Sequence, residues 1–167
     1  MVFETQVGSM TFTKPDDTSL VATRVMDAAR DLVWAAHTQC EHVQQWLLGP
    51  EGWTMPICEI DLRPGGRWRY VYEGPDGATF PMSGEYREIQ APARLVNTET
   101  MDDSPADTLN ILTLTEENGR TVVRTVVEYP SKEIREGIIA TGMMEGWAES
   151  YDRLQRYLCS LGLPLGA

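Results

Sequence analysis

The sequence is poor in cysteine and shows no pairing pattern among the cysteines it has. Its 167 residues include three, Cys40, Cys58 and Cys159, with no CxxC motif. An odd number of scattered cysteines argues against a disulfide framework and against a zinc ribbon. We therefore expect free, buried thiols and a protein of the reducing cytoplasm.

Basic residues are scarce as well. The chain carries 14 Lys and Arg residues against 25 Asp and Glu, a formal net charge of −11 at pH 7. Non-specific nucleic-acid binding needs a basic face that displaces counterions, and anionic lipid surfaces attract basic segments. We predict neither a nucleic acid nor a membrane as partner. A neutral hydrophobic molecule inside a pocket remains compatible with this charge.

Long apolar runs are missing too. No stretch approaches the ~18 consecutive apolar residues of a membrane span. The first residues, MVFETQVGSMTFTKPDD, contain neither a basic segment nor an apolar one, so we expect no secretion signal. The composition, with 42% hydrophobic and 23% charged residues, is typical of one globular domain.

Motifs for metal and nucleophile chemistry are absent from the sequence. There is no HExxH motif and no GxSxG elbow. His37, Cys40 and His42 lie close together, but helical rotation separates His42 from the other two. We expect these histidines at the surface or in a helix linker. The sequence thus predicts no metal site, no cofactor and no catalytic residue.

Acidic residues on the predicted strands leave acid–base chemistry open. Strict alternation is expected to place most of them on a convex, solvated face, paired across strands with Arg67, Arg69 and Arg87. Burial would raise the pKa of one of them only if a bulge turned it inward. The residues concerned are Glu59, Asp61, Glu85, Glu99 and Glu128.

Hydrophobic periodicity divides the chain into an ordered set of elements. We predict a strand at 19–26, a helix at 28–36 capped by Asp27, and a second short helix opened by the capping box Thr38 to Glu41. The period then changes to two, which predicts strands at 56–62, 67–73, 80–88, 94–101, 108–116 and 120–129. Ser131 begins a short helix, and Thr141 caps a long helix that ends near residue 161.

This order predicts an α+β helix-grip fold. Consecutive strands joined by short turns are antiparallel. One long amphipathic helix and two short ones cannot cover both faces of seven strands, so the sheet must curve around the C-terminal helix near 142–161. We expect residues 1–17 to be a loose extension or an added edge strand, 18–162 the domain and 163–167 a tail. A homodimer through an edge strand remains open.

The aromatic residues are the strongest candidates for a ligand site. Trp68, Tyr70 and Tyr72 alternate with polar residues on one predicted strand, and the last helix carries an apolar stripe. Plain core filling is the alternative, but Tyr and Met are typical of adaptable pockets. The predicted site consists of Trp46, Trp53, Trp68, Tyr70, Tyr72, Met82, Tyr86, Met143, Trp147 and Tyr151.

Glycines suggest how this site would close. Trp46 and Trp53 should guard one end, because the glycine-flanked loop at 49–52 between them can open. Gly146 costs its helix ~1 kcal/mol relative to Ala. We expect the missing Cβ to allow the sheet to pack closely beside Trp147. Close approach of a ligand at this position is the less favoured alternative.

Several stretches together resemble a known family. They lie at 25–28, 46–54, 58–70, 91–96, 142–143 and 146–147, and the string DLRPGG at 61–66 is the most specific. The chain resembles single-domain proteins similar to the C-terminal domain of the heat-shock-protein-90 ATPase activator. These belong to the SRPBCC superfamily, which shares its fold with birch-pollen allergen, START lipid-transfer domains and polyketide cyclases.

The resemblance implies a helix-grip fold and, in a family of mostly bacterial proteins, the binding of hydrophobic small molecules. We therefore expect non-catalytic binding of a small hydrophobic or aromatic ligand. One alternative is a cyclase- or hydrolase-like enzyme that uses acid–base residues of the cavity. Another is a co-chaperone-like protein-interaction domain. A pocket smaller than ~300 Å³ would favour the last.

Overall fold

The computed structural model describes residues 3–101 and 107–161. This part of the chain forms nine strands and four helices, in the order three strands, two helices, six strands and two helices. The strands are β1 (Phe3–Val7), β2 (Met10–Lys14), β3 (Ser19–Met26), β4 (Thr54–Ile60), β5 (Arg67–Glu73), β6 (Thr79–Gln90), β7 (Arg94–Met101), β8 (Thr108–Glu117) and β9 (Arg120–Glu128). The helices are α1 (Arg30–Thr38), α2 (Cys40–Trp46), α3 (Lys132–Ile139) and α4 (Met143–Ser160).

The strands form one antiparallel sheet in the order β1-β2-β3-β9-β8-β7-β6-β5-β4. Inward residues of the sheet and one face of α4 share a single hydrophobic core that includes Leu112, Val123, Tyr151 and Leu154. The predicted helix-grip architecture is therefore confirmed, with the long helix held by the curved sheet. The predicted number of seven strands is wrong, since the described residues form nine.

The two additional strands come from the first residues of the chain. β1 and β2 pair as a hairpin, and β2 continues onto β3. Met10 and Phe12 are fully buried, and the Phe12 ring lies 5.8 Å from the ring of Trp147 on α4. The hairpin thus completes the sheet over one end of α4.

The helix starts differ from those predicted. α1 begins at Arg30, and the residue before it makes no side-chain cap; the Asp27 carboxylate instead pairs with Arg120. Thr38 lies inside the last turn of α1, where its hydroxyl donates to the carbonyl of Trp34. Gln39 precedes α2 without a side-chain cap. The two side chains that were predicted to cap these helices therefore have other partners: Arg120 for Asp27 and the carbonyl of Trp34 for Thr38.

The helices after β9 are closer to the prediction. Ser131 caps α3 as predicted, because its hydroxyl accepts a hydrogen bond from the amide of Ile134. α4 occupies almost the predicted range, but Gly142 precedes it with a φ of 90°. The Thr141 hydroxyl donates to the carbonyl of Ile138 and does not cap α4.

The cysteines contradict the expectation of free, buried thiols. Cys40 on α2 and Cys58 on β4 form a disulfide with their Cα atoms 5.7 Å apart. Cys159 is free but exposed. The fold brings α2 beside β4, which no spacing rule for dispersed cysteines reveals. The expectation of a reducing compartment rested on free thiols and loses that support. Within the described ranges, no helix is both long and apolar enough to cross a membrane.

Candidate functional site

A cavity of about 650 Å³ lies between the concave face of the sheet and α4. Strands β5 to β9 form its floor, and α4, the end of α1 and the loop after α2 form its other walls. The structure brings all ten residues predicted for the ligand site onto this wall: Trp46, Trp53, Trp68, Tyr70, Tyr72, Met82, Tyr86, Met143, Trp147 and Tyr151.

Strand alternation positions the aromatic side chains of β5. Trp68, Tyr70 and Tyr72 point inward. Arg67, which precedes them, and Arg69, which lies between the first two, are exposed. The Trp68 and Tyr70 rings lie 4.7 Å apart. The Trp68 indole donates from Nε1 to the carbonyl of Thr98 at 3.1 Å, which holds its ring at the cavity floor.

Gly84 on β6 makes room for that indole. It lies opposite Trp68 in the strand register. A Cβ at Gly84 would lie 2.6 Å from the Trp68 Nε1 and 1.8 Å from the carbonyl oxygen of Thr98. The glycine is therefore required by the close approach of the two neighbouring strands and the indole. A glycine inside a strand pattern was the sequence signal for this contact.

His37 lies on α1 and faces the cavity, which differs from the expected position at the surface or in a helix linker. Its Nδ1 lies 2.8 Å from the carbonyl of Val33, and its Nε2 lies 3.0 Å from the Tyr151 hydroxyl. A carbonyl can only accept, so Nδ1 carries the proton and Nε2 accepts from Tyr151. Burial lowers the pKa of His37 to about 4. The imidazole is neutral near neutral pH.

His42, the second histidine, turns away from the cavity wall. Its Nδ1 lies 2.6 Å from the Tyr157 hydroxyl on α4. Each histidine of the α1–α2 region therefore contacts a tyrosine of α4. No group of metal-ligating side chains occurs among the described residues.

The loop between α2 and β4 is held against α4. Arg153 donates to the carbonyls of Trp46 and Gly49, each at 3.0 Å. The Gly49 amide donates to the Ser150 hydroxyl at 2.8 Å. Trp46 itself is buried and donates to the carbonyl of Ala36. These hydrogen bonds, which we call the Arg153 latch, hold the loop against α4 at this end of the cavity. The buried Trp46 side chain fixes the start of the loop.

The close packing expected at Gly146 is absent. A Cβ there would meet one atom, the Cδ of Pro50, at an ordinary distance of 3.6 Å. Gly146 therefore lies beside the loop that contains Pro50 and not against the sheet. Trp147, beside it, is half-buried and touches Tyr151 with ring centroids 6.2 Å apart.

Glu99 is an exception to the convex, solvated position that was expected for most of the strand carboxylates. Leu95, Asn97 and Glu99 alternate on β7 and all line the cavity. Leu95 and Val96 are both buried, so hydrophobicity alone did not reveal which face of β7 is inward. Glu99 is partly buried, and its side chain lines the cavity. The spacing of two residues between Leu95, Asn97 and Glu99 is the sequence signal that could have predicted this inward position.

The other predicted carboxylates follow the expectation more closely. Glu59 pairs with Arg69 across neighbouring strands at 3.2 Å, and Glu85 pairs with Arg87 at 3.1 Å. Asp61 pairs with Arg63, and Glu128 is exposed. These charges lie outside the cavity wall.

The environment of Glu99 favours its protonated form. Burial raises its pKa to about 7, against a weaker opposing effect of Asn110. The Asn110 Nδ2 lies 3.5 Å from the Glu99 Oε1, a long hydrogen bond. Burial also raises the pKa values of the nearby Tyr70, Tyr72 and Tyr129, and the Glu99 charge adds to that effect. The site thus has a polar end at Glu99 and another at His37.

Comparison with known proteins connects this architecture to a family. Residues 27–159 match the family described as Activator of Hsp90 ATPase homolog 1-like protein. A search of curated proteins finds no match. Family membership suggests a ligand-binding or activator-like domain and identifies no ligand.

Solved structures show the same fold. The chain is 29% identical to a protein from Rhodobacter sphaeroides, with a TM-score of 0.86 over 91% of this chain and 99% of the other. A protein from Nitrosomonas europaea is 24% identical, with a TM-score of 0.80 over 89% and 99% of the two chains. One from Mycobacterium smegmatis is 23% identical, with a TM-score of 0.78 over 93% and 97%. The family match over most of the chain shows that this protein belongs to the Activator of Hsp90 ATPase homolog 1-like family, with the SRPBCC type of fold.

Proposed function

We propose that this protein binds a small hydrophobic or aromatic molecule in the cavity and does not transform it. The cavity itself is the observation that carries this proposal. Its volume of about 650 Å³ lies within the ~300–1,000 Å³ range of small-molecule sites. Its wall is mostly aromatic and aliphatic, with a small number of polar side chains among them.

The cavity does not resemble imperfect core packing. Protein interiors are close-packed, and voids larger than a water molecule are few. Here several tyrosines and two methionines, Met82 and Met143, surround a space that can hold a molecule of many atoms. Burying such a wall against a ligand would recover the dispersion contacts that the empty space lacks.

Glu99 is the residue that would support the enzymatic alternative. A carboxyl group with a pKa of about 7 is suited to proton transfer near neutral pH. Its hydrogen-bond partner is Asn110, however, and not a tyrosine or arginine. That geometry supports recognition of a ligand more than an acid–base pair. An activator-like role through the surface is the other alternative, and the size of the cavity favours ligand binding over it.

The experiment combines native mass spectrometry with a thermal-shift screen of lipids, polyketides, aromatic acids and aromatic amines. A bound ligand should stabilise the fold by about 2.7 kcal/mol at a hundredfold excess over its dissociation constant. Tryptophan emission should change, because Trp68 and Trp147 face the cavity. The mass of the recovered ligand should be unaltered; a changed mass would favour the enzyme.

Two tryptophan variants separate cavity binding from general damage. Trp147→Ala should abolish the thermal shift, since Trp147 lines the cavity. Trp34→Ala is the matched control, because Trp34 is buried in α1 and is not part of the cavity wall. Thermal shifts that survive Trp147→Ala unchanged, or a screen without any hit, would contradict the proposal.

A further inference from the structure

The cavity wall has one carboxylate and no basic side chain that can hold a proton near neutral pH. Among the described residues that line it, Glu99 is the acid, and neither Lys nor Arg occurs. The neighbouring imidazole of His37 is held neutral by its burial, which lowers its pKa to about 4. Any net charge in the cavity is therefore negative and is located at Glu99.

The described elements around Glu99 place no positively charged side chain in contact with it. Tyr70 and Tyr72 approach it from β5, Tyr129 from the end of β9, and Asn110 from β8. The residues that α3 and α4 place on the wall are all uncharged: Ile138, Met143, Gly146, Trp147, Ser150 and Tyr151.

Two buried arginines, Arg24 and Arg135, have partners outside the cavity wall. Arg24 points inward from β3 and pairs with Asp152 on α4. Arg135 on α3 donates to the carbonyls of Asp16 and Ser19 at 2.6 and 2.9 Å. Neither of these arginines lines the cavity in the described part of the chain.

Glu99 has acceptor capacity to spare. An ionised carboxylate offers about four lone-pair positions, and Asn110 approaches one of its oxygens at 3.5 Å. The surrounding tyrosine rings add a second kind of attraction, because a cation is attracted to the face of an aromatic ring within about 6 Å. A carboxylate among aromatic rings is a suitable site for an ammonium group.

We propose that the cavity selects amphipathic amines, with the apolar body among the aromatic rings and the protonated nitrogen between the Glu99 carboxylate and the tyrosines of β5. This inference rests on the proposed ligand-binding function and names the ligand class. An acid of the same shape is rejected, because its carboxylate would meet the carboxylate of Glu99. The acidic protein as a whole, with its net charge of −11, also attracts cations and repels anions.

A pH dependence follows from this arrangement. A bound ammonium favours the ionised carboxylate, whereas burial holds the pKa of the empty Glu99 at about 7. Amine binding therefore releases a proton from Glu99 below that pH, and affinity rises as the pH increases through it. A neutral ligand shows no such rise, since its binding does not require the charge.

Three probes with the same ring system but different head groups test the inference: naphthylethylamine, naphthylethanol and naphthylacetic acid. Isothermal titration at about pH 7.5 should rank the amine first and the acid last. In Glu99→Gln the amine should weaken about 10- to 100-fold, the range of a charge-assisted hydrogen bond. The alcohol should bind equally well to both proteins. Glu128 is an exposed carboxylate on β9, and Glu128→Gln should change nothing.

The outcomes separate this inference from the function on which it rests. Binding of the alcohol or the acid in preference to the amine, with dependence on Trp147, would overturn amine selection and leave ligand binding in place. An amine affinity that is the same in Glu99→Gln would also overturn it. If none of the probes binds and the broader screen has no hit, both proposals fail. Circular dichroism of each variant shows whether it is folded.

Discussion

Two ionisable side chains set the polarity of the cavity, and burial moves their pKa values in opposite directions. Glu99 is shifted up to about 7 and His37 down to about 4. Desolvation disfavours the charged form of both, which is the anion for the acid and the cation for the base. Near neutral pH, His37 is a neutral hydrogen-bond acceptor for Tyr151, while Glu99 is close to its titration midpoint.

The Glu99 shift predicts a pH-dependent stability. The folded pKa of about 7 lies above the ordinary value of 4.5, so the folded state holds a proton that the unfolded state has lost. Stability due to this group is present at low pH and is lost as the pH rises to about 7, by roughly 3 kcal/mol. Glu99→Gln removes this loss. In urea unfolding, the free energy of unfolding of the variant should increase relative to that of the wild type between about pH 4 and about pH 8.

The same comparison contains its own controls. His37 titrates in both proteins, so its contribution cancels in the difference between them. Glu128→Gln changes an exposed carboxylate and should track the wild type across the range. A difference between Glu99→Gln and the wild type that does not vary with pH would show that the pKa of Glu99 is the same in the folded and unfolded states. That result would contradict the raised pKa.

The segment between α1 and β5 is constrained at two places. The disulfide ties α2 to β4, and Arg153 ties the following loop to α4. Between them, these contacts fix the part of the chain that covers one end of the cavity. Movement of the loop at 47–53 away from α4 would therefore require the Arg153 hydrogen bonds to break.

Removal of the disulfide should destabilise the protein. The bond closes a loop of 18 residues, for which loss of chain entropy in the unfolded state predicts about 3 kcal/mol. The double variant Cys40→Ser with Cys58→Ser should lose this amount in chemical denaturation. Cys159→Ser is the control, because Cys159 is exposed and free, and it should be neutral. Titration of the native wild type with a thiol reagent should find one reactive cysteine; three would contradict the disulfide.

Release of the latch should expose the loop. Arg153→Met keeps the aliphatic stem but removes the hydrogen bonds to the carbonyls of Trp46 and Gly49. Hydrogen bonds from a charged group contribute about 1.5–3 kcal/mol. Hydrogen–deuterium exchange at 47–53 should therefore accelerate about tenfold or more. Arg156→Met, on the exposed side of the same helix, should leave exchange unchanged. Equal protection in both variants would place the latch elsewhere.

At the scale of the whole molecule, the first strands of the chain complete the fold. β2 extends the sheet beyond β3, and its inward residues enter the core that surrounds α4. The sheet therefore grips α4 from β2 at one end to β5 at the other. The N-terminal hairpin also supports Trp147, whose other face is turned to the proposed ligand.

A substitution in the hairpin measures its contribution. Phe12 is fully buried, so Phe12→Ala should cost about 3–5 kcal/mol in the free energy of unfolding. Phe80 is 40% exposed, and Phe80→Ala should cost about 1 kcal/mol or less. Chemical denaturation of both variants tests the difference. A cost at Phe12 no larger than that at Phe80 would mean that the hairpin is an independent extension.

The sequence alone determined the architecture and the aromatic surface of the cavity. The alternation in β5 and the helical stripe of α4 are local periodicities. The residues that they place on the inward faces, Trp68, Tyr70, Tyr72, Met143 and Trp147, line the cavity, and their binding of a ligand stays a prediction. A long amphipathic helix after a run of antiparallel strands has few ways to bury its apolar face. That restriction made the helix-grip fold predictable.

Only the tertiary structure decided the chemistry of the site. The inward position of Glu99 depends on the register of β7, which two adjacent buried residues, Leu95 and Val96, leave ambiguous. The Cys40–Cys58 bond and the Arg153 latch join residues whose proximity follows from the path of the chain. Local patterns carry information about which face of an element is buried, whereas contacts between distant elements depend on how all the elements pack together.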